Sequence, residues 1–175
     1  MNENYDIQMI QKQKELESAS IMALMGQIVY STPERPIIGT MALASCYGII
    51  FYDRENKFAI VGHANPSSRI KIMDRMMDFV KKIGCNNIEY AVINGYFNVQ
   101  KKNYKGEYEL LEFLEEKSRN LNISIKPLQT DLGVQLDKKK EGYEFAFDVN
   151  SGKSVSENYF YFTQIIDEDK PRNFR

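Results

Sequence analysis

The chain is poor in the side chains that most catalysis relies on: it has one histidine, His63, and two cysteines, Cys46 and Cys85. With no CxxC pair and no Cys/His cluster, neither a disulfide framework nor a structural zinc site is supported, and both thiols are expected to be reduced. An excess of charge of one sign is also missing, since 23 Lys and Arg stand against 24 Asp and Glu. No global field is available to hold a phosphate backbone or an anionic membrane, so nucleic-acid binding is not expected. No run approaches the roughly 18 apolar residues of a membrane span, which argues against membrane insertion. The opening "MNENYDIQ" is polar and acidic, where a secretory leader would be basic and then apolar, so the expected location is the cytoplasm. Repeats and low-complexity linkers are absent too. A chain of 175 residues then reads as one domain over residues 1–166, followed by a polar tail, 167–175, expected to fray.

What is present is patterned. Residues 5–25 carry Ile10, Leu16, Ile21 and Leu24 in a helix-forming composition, which predicts an N-terminal helical extension over 1–25. "YSTPERP", 30–36, reads as a loop. "CYGIIFY" and "KFAIVGH" are aromatic and β-branched and flank the polar "DREN", so they read as a hairpin. A four-residue loop over Asp53 to Asn56 sets Tyr52 opposite Lys57 and therefore Cys46 opposite His63, with Cβ atoms about 4.5 to 5.5 Å apart. "SSRIKIMDRMMDFVKKIGC" is the clearest helix: Ser67 or Ser68 can cap it, Ile70, Met73, Met77 and Val80 share a face, and Gly84 stops it. The strand "IEYAVIN", a helix over "YELLEFLEEKSRNL" with Leu110, Leu111, Leu114 and Leu121 inward, and the strand "ISIKPL" follow. "YEFAFDV", the turn "NSGK" and "VSENYFYFTQII" close the chain as a second hairpin. The expected class is a mixed α/β domain whose sheet contains both strand orientations and is flanked by helices.

Chemistry concentrates at Cys46. A free thiol has a pKa near 8.5, and pairing with an imidazole brings it to roughly 3.5 to 7.5, so a neighbouring histidine changes reactivity greatly. A thiolate attacks a carbonyl carbon, the imidazolium protonates the leaving amine, and water releases the acyl group from the thioester. Thr40, six residues before Cys46, can hold the ring through its hydroxyl or carbonyl. Extended chain would separate the two by about 20 Å, so a bend is required, and the small residues "ALAS" permit one. The plainer alternative is a buried core cysteine beside an incidental histidine, with Thr40 an ordinary strand residue.

The pattern of Thr40, "ALASC", an apolar strand ending in Tyr52-Asp53, and "VGHANP" resembles the chemoreceptor glutamine deamidase family, CheD. There Leu-Gly-Ser-Cys is followed by a strand, a Tyr-Asp turn and a glycine shortly before the histidine. "INGYFNV" and "IKPLQTDLGV" followed by "YEFAFDVNSGKSV" are similar, more weakly, to later segments of that family, so the resemblance spans roughly residues 22 to 156. It implies a CheD-like sandwich, shared with the catalytic domain of cytotoxic necrotizing factor toxins. It also implies Cys46 as nucleophile, His63 as general base and acid, and Thr40 as the residue that orients His63. The activity implied is hydrolysis of a protein glutamine side-chain amide to glutamate and ammonia, with chemoreceptor cytoplasmic helices as substrate and a CheC-type phosphatase as partner. No metal or organic cofactor is implied. The chain departs from the family pattern at Ala44, at "ANP" after the histidine, at Asn94-Gly95-Tyr96 and at Gly133-Val134, where glycines or an expected Leu-Pro are missing. Ser45, Asn65, Asn94 and Gly95 are the positions expected to line the substrate cleft.

Two readings from different classes follow. One is a protein-glutamine deamidase. The other is a binding module that keeps the fold without turnover and regulates a phosphatase or receptor. A third, lesser reading beside the two is a cysteine hydrolase of a small amide.

Overall fold

The computed structural model describes residue 11 and residues 14–156. In chain order its strands are β1 (Ser20–Ala23), β2 (Ile28–Tyr30), β3 (Ile37–Leu43), β4 (Tyr47–Asp53), β5 (Phe58–Ala64), β6 (Asn87–Asn94), β7 (Ser124–Pro127), β8 (Gln135–Asp137), β9 (Gly142–Asp148) and β10 (Lys153–Ser154). Three helices lie between them: α1 (Arg69–Lys82), α2 (Tyr96–Gln100) and α3 (Lys105–Leu121). Residues 14–18, ahead of β1, are also helical.

Every residue of β4 is buried, and a strand buried on both faces must be covered on both faces. That requirement organises the layers. Ile50 and Tyr52, with Ala59 and Val61 of β5, meet Ile38, Leu43, Phe145 and Phe147 of a second sheet. Tyr47, Ile49 and Phe51, with Ile60, meet Met73, Met76 and Met77 of α1 and Leu110 and Leu114 of α3. The result is a helix layer, a five-stranded sheet β2-β5-β4-β6-β7, and a second five-stranded sheet β1-β3-β9-β10 with β8 also against β9. β1 runs parallel to β3 and β7 parallel to β6, and the remaining pairs are antiparallel, so both sheets are mixed. The mixed α/β class with both strand orientations is therefore observed, arranged as two sheets.

The N-terminal segment departs from expectation. Within the proposed helical extension, Ser20–Ala23 is strand β1, paired with Ile37 to Thr40 of β3, and β2 starts at Ile28. Long-range pairing overrides the helix-forming composition there. The part of the expected helix over 1–10, most of the closing "VSENYFYFTQII" and the tail lie outside the described residues.

The hairpin forms, with a different register. Its loop is Arg54 to Lys57, since Asp53 still pairs with Phe58. Asp53 closes this turn: its carboxylate accepts from the backbone N–H of Asn56 at 2.9 Å and from the Asn56 amide at 2.7 Å. Lys57 takes the left-handed conformation, φ 49°. The pairing moves by two residues, so His63 faces Gly48 rather than Cys46. A two-residue shift keeps the face while removing the direct opposition.

α1 starts and stops where expected, with one difference in capping. Ser68 occupies the cap position but makes no side-chain cap bond. Asn65 Oδ1 does the equivalent work, accepting from the backbone N–H groups of Ser67 and Ser68. Gly84, at φ +80°, makes the stop.

Candidate active site

Thr40 sits near the end of β3, fully buried, on the intersheet side with Ile38. Beyond it the strand bulges: pairing with β9 breaks between Thr40 and Leu43, and Ala42 adopts φ 57°. Ala44 N–H then donates to Ala42 O at 2.9 Å, which turns the chain. This is the bend that the Thr40 to Cys46 spacing requires, and it falls within "ALAS". Gly142 makes room for it, since a Cβ there would lie 2.8 Å from the Ala42 carbonyl carbon.

The turn carries Ser45 exposed and Cys46 buried, and α2 holds it from one side. Phe97 N–H donates to Ala44 O at 2.8 Å, and Asn98 Nδ2 donates to Ser45 O at 3.1 Å. Gly95 is packed so closely that a Cβ would lie 2.6 Å from both Ala44 O and Cys46 O. Glycine is needed at that position for close approach, not for an unusual φ.

His63 lies on β5, an interior strand. Its N–H donates to Gln27 O at 3.0 Å and its carbonyl accepts from Gly26 N–H at 2.8 Å, which fixes the backbone between β2 and β4. The ring enters the intersheet layer and its Nδ1 lies 2.9 Å from Thr40 Oγ1. Thr40 also donates to Ala23 O at 2.8 Å. Because a carbonyl only accepts, the single hydroxyl proton of Thr40 is committed to Ala23 and Oγ1 must accept from His63 Nδ1–H. The tautomer follows: the free lone pair is on Nε2, which is buried and has no hydrogen-bond partner among the described residues. Gly48, the cross-strand partner of His63, lets the second sheet come this close. A Cβ at Gly48 would meet Leu43 Cδ1 at 2.8 Å, the Phe145 ring at 3.1 Å and Thr40 Cγ2 at 3.3 Å.

Cys46 packs in the same intersheet cluster, two residues ahead of Gly48 on the chain. Its thiol is not bonded to His63 Nε2. Burial pushes the thiol pKa above its ordinary value, with a hydrogen bond from Ser45 opposing the shift. Burial also lowers His63 below the usual imidazole value, with the Ala23 carbonyl opposing it. Burial therefore favours the uncharged form of each group, and no Cys46–His63 bond opposes it. Cys85 is elsewhere, in the cluster beneath the helices. Burial and a hydrogen bond with the Asp53 carboxylate push its thiol up to about 12.

Thr40, Cys46 and His63 thus share one layer, and Thr40 and His63 are in contact. Ser45 and Gly95 adjoin Cys46 through the turn and its platform. Asn65 supports the entry to α1, and Asn94 turns its side chain toward the helices, donating to Asn103 O at 3.3 Å and Glu107 Oε2 at 3.2 Å. Neither is shown lining a cleft with Cys46. Asn98, Phe97, Ala23 and Gly48 are structural participants that the spacing of chemical side chains did not reveal. Only Gly48, a lone glycine inside an apolar strand, carried a signal, because such a glycine marks close approach of another backbone or side chain. Among the described residues no group of three or more His, Cys, Asp or Glu side chains could hold a metal ion, and no helix is long and apolar enough to cross a membrane. Comparison with protein-family models and with curated proteins returns no match.

Proposed function

We propose that the protein is a cysteine-dependent amidohydrolase of the CheD type, converting a protein glutamine to glutamate, with Cys46 as nucleophile, His63 as base and acid, and Thr40 as the residue that orients the ring. The observation that supports this best is the Ala23–Thr40–His63 chain of hydrogen bonds. It leaves Nε2 as a proton acceptor in the layer that also contains Cys46, as a general base requires.

The reaction needs no cofactor. His63 Nε2 takes the Cys46 proton as sulfur attacks the carboxamide carbon, forming the C–S bond and a tetrahedral oxyanion. Collapse breaks the C–N bond, and the imidazolium proton goes to the leaving nitrogen as ammonia. Water, deprotonated by His63, then cleaves the thioester and restores the thiol. Starting from neutral groups, proton transfer occurs within the attack step and requires the thiol to come against Nε2 as substrate binds.

In this reading the protein acts in the cytoplasm on chemoreceptor helices, and a CheC-type phosphatase is its candidate regulator. The test is incubation with chemoreceptor cytoplasmic domains and with host lysate: the modified glutamine peptide becomes about 1 Da heavier and ammonia appears. Cys46→Ala binds the target and leaves its mass unchanged. A second reading, a non-catalytic module of the same fold, is favoured by the raised thiol pKa and the missing Cys46–His63 bond. It takes over if the wild type binds these domains and releases no ammonia.

A further inference from the structure

The turn that carries Cys46 is held by its carbonyls. Ala44 O is taken by Phe97 N–H and Ser45 O by the Asn98 amide, two consecutive residues of α2. A trans peptide points its N–H opposite to its C=O, and there is no cis bond among the described residues. With both carbonyls drawn toward α2, the N–H groups of Ser45 and Cys46 are turned the other way. α2 follows β6, which flanks β4 on one side, while β5 with His63 flanks it on the other. Neither N–H finds an acceptor among the described residues.

We infer that the N–H groups of Ser45 and Cys46 form the oxyanion-binding pair of this site, and that Asn98 is the positioning residue that aims them. Two neighbouring N–H groups pointing the same way make a small anion-binding concavity. A nucleophile's own N–H lies within reach of the oxygen on the carbon it attacks. Fixed donors cost no reorganisation as charge develops, which is why such pairs dominate acyl-transfer catalysis. Gly95 belongs to the same device, because it lets α2 seat directly beneath the Ala44 and Cys46 carbonyls. The inference extends the proposed hydrolase reading but concerns acyl transfer at Cys46 in general.

The test compares two reactions of the same thiol in the full-length protein. Acylation by p-nitrophenyl acetate forms a C–S bond while the carbonyl electron pair moves to oxygen, then expels p-nitrophenolate, so it needs the oxyanion donors. Alkylation by iodoacetamide displaces iodide at saturated carbon and has no oxyanion. Both are followed at Cys46 by peptide mass. Asn98→Ala lowers the acylation rate about tenfold or more, given that loss of one such donor outright costs about 10² to 10³, while alkylation stays within about twofold. Asn98→Asp, which keeps the shape and loses the donor, shows the same split. Equal loss in both reactions, no loss in either, a split in only one variant, or no acylation of wild-type Cys46 overturns the inference. Ammonia release is scored separately: its absence alongside the split sinks the glutamine reading and leaves the oxyanion pair standing.

Discussion

Because His63 is the chain's only histidine, its ring can be observed without assignment ambiguity, and its state tests the whole Thr40 argument. The wild-type ring should carry its proton on Nδ1 at neutral pH, and its pKa should lie below 6.5 because burial penalises the imidazolium. Thr40→Val is the informative perturbation, since it replaces the hydroxyl with a methyl of similar size. It leaves Ala23 O and His63 Nδ1–H, which Thr40 engages at 2.8 Å and 2.9 Å, without their partner. A buried group left unpaired costs about 1 to 3 kcal/mol, so the pair would sum to about 2 to 6. The ring can re-pair in part with the Ala23 carbonyl, which already acts on it, so the expected loss is about 2 to 4 kcal/mol, read by urea unfolding. Long-range proton–nitrogen correlation spectra read the tautomer directly, and in Thr40→Val the Nδ1–H form should persist, now held by the Ala23 carbonyl alone. An Nε2–H ring in the wild type, or a stability loss under about 0.5 kcal/mol for Thr40→Val, would refute the reasoning. The pH dependence has a definite sign. A histidine with a depressed folded pKa binds fewer protons folded than unfolded below about 6.5, so stability is lost as pH falls from there through the folded pKa.

Three further outcomes follow from the same geometry. Gly95→Ala should cost about 1 to 3 kcal/mol, because its Cβ meets two backbone oxygens that cannot rotate away; thermal unfolding checks it, and an unchanged midpoint would count against the platform. Limited iodoacetamide near neutral pH should modify Cys46 before Cys85, whose pKa near 12 leaves almost no thiolate; peptide mapping showing equal labelling would contradict the difference between the two environments. Glu89, buried and held by the Arg54 fork at 2.8 Å, has its pKa lowered to about 2. Its stabilisation is present above the unfolded value of about 4.3 and lost as pH falls toward 2, and Glu89→Gln should flatten acid unfolding in that window.

Sequence reasoning succeeded where local rules dominate. The amphipathic period and Gly84 gave α1, and the aromatic and β-branched runs on either side of "DREN" gave β4 and β5. Face membership within the hairpin was also legible, because Cys46 and His63 stand on one face whether the hairpin pairs as expected or two residues away, while Thr40 reaches His63 from the second sheet. Direct contact was not legible. It depended on whether Asp53 belonged to the loop, and Asp53 instead stays in the ladder while its carboxylate caps the turn, a choice made by two hydrogen bonds to Asn56. β1 was invisible for a different reason: Ile21 and Met22 suit a helix locally and become strand only because β3 offers a parallel partner far along the chain. Asn98 had no signal at all, since its role depends on which carbonyl the tertiary fold places against it.

The neutral resting pair bears on how such a site would avoid side reactions. A thiolate–imidazolium pair buried between two sheets would have to be stabilised against desolvation, and Thr40 and Ala23 address only one ring nitrogen. Keeping both groups neutral removes that cost and leaves Cys46 slow toward adventitious electrophiles until an acyl group is bound. The burden then shifts from a preformed nucleophile to the transition state, where charge appears on the substrate oxygen and on the ring together. A ring held by Thr40 and an N–H pair aimed by Asn98 would act at that moment and nowhere earlier. Binding energy that is realised only in the transition state raises turnover without tightening the resting complex. Loss of Asn98 should therefore lower kcat with little effect on KM, whereas loss of a docking residue would do the reverse.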